Sequence, residues 1–177
     1  FLYERFKIPS ESMLPTLHVG DFILVNKFTY GLRLPVANIK VTDGSGVQRG
    51  DIMVFRLPEN QSKDLIKRVV GLPGDRVAYI NKRLSINGEP VALQAAGQLT
   101  QVDEQLSLRR FDAVQESFGG KAHTILIDPN LPTFSPLGVR SYPQRDQCQY
   151  RADGFICTVP AGHYFTMGDN RDNSDDS

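Results

Sequence analysis

Ser10 and Ser12 stand one residue apart between Pro9 and Pro15, in the run Phe6-Lys7-Ile8-Pro9-Ser10-Glu11-Ser12-Met13-Leu14-Pro15-Thr16-Leu17. The prolines hold this backbone extended or turning. In extended chain, residues i and i+2 point to one side, so both hydroxyls are presented together and Glu11 faces away. That arrangement suits a nucleophile with a helper donor, although serines beside prolines are also ordinary turn residues. A serine hydroxyl becomes a useful nucleophile only when a base takes its proton, and the base need not be histidine. His18 and His163 fall in turns or at strand edges and His123 opens a strand, positions that suit structural or surface roles. Lys67 is the better candidate. In the strand-like run Asp64-Leu65-Ile66-Lys67-Arg68-Val69-Val70 it shares a face with Leu65 and Val69, which places its amine among apolar groups. Burial penalises the ammonium. Neutrality near pH 7–8 needs a shift of about 3 units, on the order of 4 kcal/mol, within reach of a buried lysine. A lysine snorkelling from a strand edge would fit the same pattern. Arg68 falls on the opposite face as a salt-bridge residue, with Asp169 its expected partner.

The elements that must position these groups read as strands. Residues 21–30, Ile52–Arg56 and Asp64–Val70 are runs of β-branched and aromatic residues, the last two separated by a polar turn over Glu59–Lys63. Gly31–Gly50 reads as a loop and Gly71–Asp75 as a tight turn. Arg76–Val91 reads as a hairpin, with Asn87-Gly88 suited to positive φ. From Ala92 to Gly154 the chain is Gln-rich, polar and Pro-containing, and His123–Asp128 is its clear strand. Such a stretch suits an insertion with long loops, a place of variation more than of chemistry. The strand pattern returns over Phe155–Met167, broken at Pro160-Ala161-Gly162, and a polar, turn-rich segment follows. No internal repeat or amphipathic helix stands out. The expected fold is mostly β: an antiparallel sheet or barrel-like catalytic domain from 1–91 and 155–177, with a smaller β-containing domain inserted at 92–154.

The 177 residues suffice for such a domain to bury a core without a metal. Twenty basic against 20 acidic side chains, with no basic stripe interleaved with aromatics, give no electrostatic support for a nucleic-acid partner. No run of 18 apolar residues and no export signal is present. The stretch opens on Phe1-Leu2-Tyr3 and closes inside a motif at Asp175-Asp176-Ser177, as expected of a piece whose anchor lies outside it. Cys148 and Cys157 have no further Cys or His at metal-ligand spacing. They form either a hairpin disulfide, which implies an oxidising compartment, or two ordinary thiols. No metal or cofactor is expected.

The segments Pro9–Leu17, Gly20-Asp21, Arg49-Gly50-Asp51-Ile52, Ile66–Asp75, Asn87-Gly88 and Gly168-Asp169-Asn170-Arg171-Asp172-Asn173-Ser174, in that order, resemble the motif boxes of bacterial type I signal peptidases. The likeness covers residues 6–91 and 158–177; the middle third matches weakly, as the inserted domain of Gram-negative members would. It implies a membrane-bound serine endopeptidase with a Ser–Lys dyad. Such an enzyme removes signal peptides from exported preproteins, with its catalytic domain on the periplasmic face of the inner membrane. Ser12 would be the nucleophile and Lys67 the general base. Ser10 would join the Ser12 N–H in holding the oxyanion, and Ser174 would orient the lysine. Asp169, Arg171 and Asp176 match bracing residues, with Arg68 beside them. The arginine expected just after Ser177 is absent, which leaves Asp176 without an identified partner. Glu11 fills a position where small residues also occur, and substitution there should be tolerated.

Signal peptides end in small residues at alternate positions, A-x-A, before the cut. An extended peptide of that kind needs shallow apolar pockets and a strand edge. The resemblance assigns the pockets to Phe6, Ile8, Pro9, Met13, Leu17, Ile23, Val54, Leu65 and Ile66, residues that plain core packing would also use. The peptide would pair between Ser10 and Asp64-Leu65, and the apolar amino end would rest on the membrane surface. Two alternatives share features with this reading. A self-cleaving repressor-type Ser–Lys protease would need an internal cleavage site, and a non-catalytic β-rich peptide-binding module would capture extended peptides without cutting them. The penicillin-binding type is excluded, since S-x-x-K on a helix would need lysine where Pro15 stands.

Overall fold

Short runs of β-branched and aromatic residues between Gly and Pro turns favour strands. Strands dominate the computed structural model, which describes residues 3–26, 46–57, 60–102, 106–133 and 144–174. β1 (Tyr3–Lys7) pairs with β2 (Phe22–Asn26). β3 (Ile52–Leu57) pairs with β4 (Asn60–Gly71), whose other edge takes β13 (Phe165–Met167). A five-stranded sheet combines β5 (Arg76–Ile80), β6 (Arg83–Ile86) and β7 (Glu89–Pro90) with β11 (Cys148–Arg151) and β12 (Gly154–Thr158), in the order β11-β12-β5-β6-β7. β8 (Ala92–Val102), β9 (Leu108–Phe118) and β10 (Lys121–Ile127) make a fourth sheet with β9 in the middle. Each of these strand pairings is antiparallel. The mostly β expectation holds, but the barrel-like one does not: among the described residues each sheet is open, with two edge strands.

β4 is buried on both faces from Ile66 to Val70, which explains a run that mixes Lys and Arg with Ile and Val rather than alternating with polar residues. The largest core cluster joins Val70, Phe165 and Met167 of the β4 sheet to Val77, Tyr79, Leu84 and Phe155 of the five-stranded sheet. Gly71 belongs to this junction, because a Cβ there would meet Val77 Cγ2 at 2.6 Å. A second cluster packs Ile8, Met13 and Ile66 together, and a third joins Leu14 to Phe111 of β9 and Leu126 of β10.

Several local expectations are corrected. Residues 92–118, expected as long loops, form two 11-residue strands, β8 and β9. β8 is exposed along most of its length, so no apolar alternation announced it. Asn60–Lys63, expected as a turn, extends β4, with Asn60 opposite Leu57. The expected single hairpin over 76–91 is two. Asn87-Gly88 joins β6 to β7 with φ of 54° and 85°, and Asn81-Lys82 joins β5 to β6 with φ of 48° and 60°. Of the strand expected at 21–30, Phe22–Asn26 is observed. Residues 27–30 and most of the loop expected at 31–50 lie outside the described residues. Cys148 and Cys157 stand opposite each other on β11 and β12 and are joined by a disulfide.

Candidate active site

After β1, the chain does not stay extended through Ser10 and Ser12, as the spacing suggested, but winds into a turn. Leu14 N–H donates to Glu11 O at 3.1 Å and Leu17 N–H to Met13 O at 3.0 Å. Buried Met13 enters the Ile8–Ile66 cluster and buried Leu14 enters the Phe111–Leu126 cluster, so the turn is pinned on two sides. The hydroxyls still meet, with Ser10 Oγ 3.3 Å from Ser12 Oγ.

Lys67 comes from the middle of β4 and is only 2% exposed. Its Nζ donates to Ser174 Oγ. Ser10, Ser12, Lys67 and Ser174 line one cavity of about 650 Å³. Phe6, Ile8, Pro9, Met13, Leu65 and Ile66 form its apolar wall, and Asp64 lies along it. Leu17, Ile23 and Val54 do not line the cavity; they pack behind it against Ile8, Met13 and Ile66. Lys7, Asp172 and Asn173 also border it. His18 and His163 are exposed, and none of the three histidines lines the cavity.

Behind the cavity, polar residues are buried, and such burial is tolerated when the groups pair. Arg68 Nε and Nη2 donate to the two carboxylate oxygens of Asp169 at 2.8 and 2.7 Å, and Arg68 Nη1 donates to Gly50 O at 2.7 Å. Thr16 Oγ1 donates to the same carboxylate. Arg171 donates from Nη1 and Nη2 to the Glu116 carboxylate and from Nε to Gly168 O. Glu116 in turn meets His123 Nε2 at 3.0 Å. Burial alone would raise the Glu116 carboxyl, but the Arg171 guanidinium beside it and the hydrogen bond with His123 hold it at about 2. Lys82 Nζ pairs with Asp172 at 2.8 Å. Asp176 lies outside the described residues.

The segment from Gly168 to Ser174 connects these groups to the turn that carries Ser12. Asn170 N–H donates to Ser12 O at 3.0 Å and its side chain donates to Glu11 O at 3.3 Å. Gly168 is required here by space: a Cβ would collide with Ser174 Oγ and the Ser12 carbonyl. Thr16, Asn170 and Asp172 carry contacts that reading the sequence did not assign them, although all three stand inside its motif segments. Glu116 had no comparable signal, being one carboxylate in a polar stretch.

Among the described residues no group of three His, Cys, Asp or Glu could hold a metal ion, and no helix is long and apolar enough to cross a membrane. The arrangement can do acyl-transfer chemistry: a hydroxyl, a second hydroxyl beside it and a buried amine open on one cavity. A family model described as "Signal peptidase, peptidase S26" matches residues 1–177. Relatives named "Signal peptidase I" are 50% identical in Pseudomonas fluorescens, 48% in Pseudomonas aeruginosa and 35% in Aquifex aeolicus. Each alignment covers 100% of this chain and, respectively, 55%, 55% and 69% of the relative. The chain thus spans just over half the length of the two Pseudomonas proteins.

Proposed function

Since the chain belongs to the signal peptidase family, peptidase S26, we propose that it is the catalytic part of a membrane-associated serine endopeptidase that removes signal peptides from exported preproteins. The observation that carries this is Lys67, 2% exposed, opening on the same cavity as Ser12 and hydrogen-bonded to Ser174.

Desolvation disfavours the lysine's charged form, and a neutral amine is what a base requires. Ser12 Oγ adds to the scissile carbonyl carbon while its proton passes to Lys67 Nζ. The Ser12 N–H and the Ser10 hydroxyl hold the oxyanion that develops. The C–N bond then breaks, and Lys67 returns the proton to the leaving amine. Water, deprotonated by the same lysine, hydrolyses the Ser12 ester. Ser174 keeps Lys67 aimed throughout. The peptide enters as an added strand between Ser10 and Asp64-Leu65. The apolar wall of Phe6, Ile8, Met13 and Ile66 favours small apolar side chains before the cut.

The β1–β2 ribbon supports a membrane partner. Tyr3, Phe22 and Leu24 are 57%, 63% and 68% exposed. The register puts them on one face with Arg5 and Lys7, and Arg5 lies over the Phe22 ring at 5.0 Å. Aromatic and basic side chains together suit a lipid interface. This face would rest on the outer surface of the inner membrane, on which the catalytic part stands. The test is to incubate the full-length protein, in detergent, with an exported precursor. A cut after the A-x-A site, lost in Ser12→Ala, supports the proposal; an uncut precursor, or a cut that survives Ser12→Ala, overturns it.

A further inference from the structure

The β8–β10 sheet, which the sequence marks as a place of variation, sends one fully buried carboxylate toward the site: Glu116, 0% exposed. It stands opposite His123 across β9 and β10, and Phe118 stacks on the His123 ring with centroids 5.3 Å apart. The carboxylate is therefore fixed from its own sheet, and its two oxygens receive the two terminal nitrogens of Arg171.

Arg171 belongs to the segment that touches both reacting groups. Its N–H donates to Leu126 O at 3.0 Å, and Leu126 N–H donates to Asp169 O at 2.8 Å, so β10 borders this segment as a short parallel bridge. The residue before it, Asn170, holds the Ser12 carbonyl, and three residues on, Ser174 meets Lys67. Arg171 Nε also ties Gly168 O at 3.1 Å, closing the turn on itself.

We propose that Glu116 is a positioning residue for the Ser12–Lys67 centre: through Arg171 it holds the Gly168–Ser174 turn, and so sets both the Ser12 peptide and the Ser174 hydroxyl against Lys67. This rests on the peptidase reading above. A guanidinium received by both oxygens of a buried carboxylate has one strongly preferred orientation, which a loop tied by backbone bonds alone would lack. The middle sheet is thereby a template for the catalytic turn as well as a covering layer.

The test compares full-length wild type with Glu116→Gln and Glu116→Asp, reading kcat and KM on a precursor, with amide hydrogen exchange on the same proteins. The glutamine variant should fold, keep KM within about threefold and lose at least about tenfold in kcat, the pattern of an interaction used in the transition state. The amides of Asn170 and Arg171 should exchange faster while those of Val77, Tyr79 and Leu84 do not, and Glu116→Asp should recover part of the loss. An unchanged kcat in folded Glu116→Gln, or exchange that quickens evenly along the chain, would overturn the proposal. If Glu116→Gln does not fold, His123→Leu, whose side chain cannot hydrogen-bond the carboxylate, serves the same comparison. Wild type that fails to cut sinks the peptidase reading instead. The exchange pattern then decides: local loosening of 170–171 supports the positioning role and none overturns it.

Discussion

Lys67 Nζ donates a hydrogen bond to Ser174 Oγ across 107 positions of sequence, and both atoms open on the cavity that holds Ser12. Lys67 comes from the middle strand β4, and Ser174 from the turn that leaves its neighbour β13 and is bridged to Leu126 of β10, so both sheets support this contact. Substitutions at either support should therefore be felt at the site.

Ser10→Ala should lower kcat by about 10²–10³ with little change in KM, the usual loss for one oxyanion donor. Ser10 Oγ lies 3.3 Å from Ser12 Oγ, beside the proposed nucleophile. Steady-state kinetics on a precursor peptide check this, and an unaltered kcat would remove Ser10 from the oxyanion site.

Breaking the Arg68–Asp169 pair from one side should destabilise the fold by about 3–5 kcal/mol, because the remaining charge is buried without its counter-ion. The side chains are 8% and 0% exposed. Chemical denaturation of Arg68→Met and Asp169→Leu separately, then together, checks it. The double variant should lose less than the two single losses added.

Stability should fall in acid through Glu116. Its folded value of about 2 lies below the reference value of 4.5, so its contribution is complete above about 4.5 and is lost as pH drops from there toward 2. Thermal melts between pH 6 and pH 2, in steps of about half a unit, should show wild type losing more stability than Glu116→Gln over this window. Parallel losses in the two proteins would argue against it.

Serine in place of Phe22 and Leu24 should weaken sedimentation with anionic vesicles at least about tenfold while leaving the cavity walls intact, since each removes an apolar side chain from the exposed face of the β1–β2 ribbon. Equal binding by the variant would assign membrane contact elsewhere.

The burial of Lys67 was legible because its neighbours in β4 are apolar, and the expected meeting of Ser10, Ser12, Lys67 and Ser174 on one cavity is observed. The turn at 10–17 was not legible, because proline is compatible with extended and turning backbone alike; Met13 and Leu14, entering different clusters, decide it. β8 and β9 were missed because β8 has little buried face, so its sequence carries no period to read. The Asn81-Lys82 turn lacks the glycine that marks Asn87-Gly88. Glu116 was invisible for another reason. Its importance comes from facing Arg171 55 positions away, and nothing adjacent to it in sequence signals that partner.

Lys67 is the proposed base for Ser12. The deciding measurement is precursor cleavage by full-length Lys67→Met, whose unbranched apolar side chain lacks the amine. No cut above the uncatalysed background in a protein that melts as wild type does is the predicted result. Cleavage at the normal rate after the same site would mean that a group other than Lys67 takes the Ser12 proton.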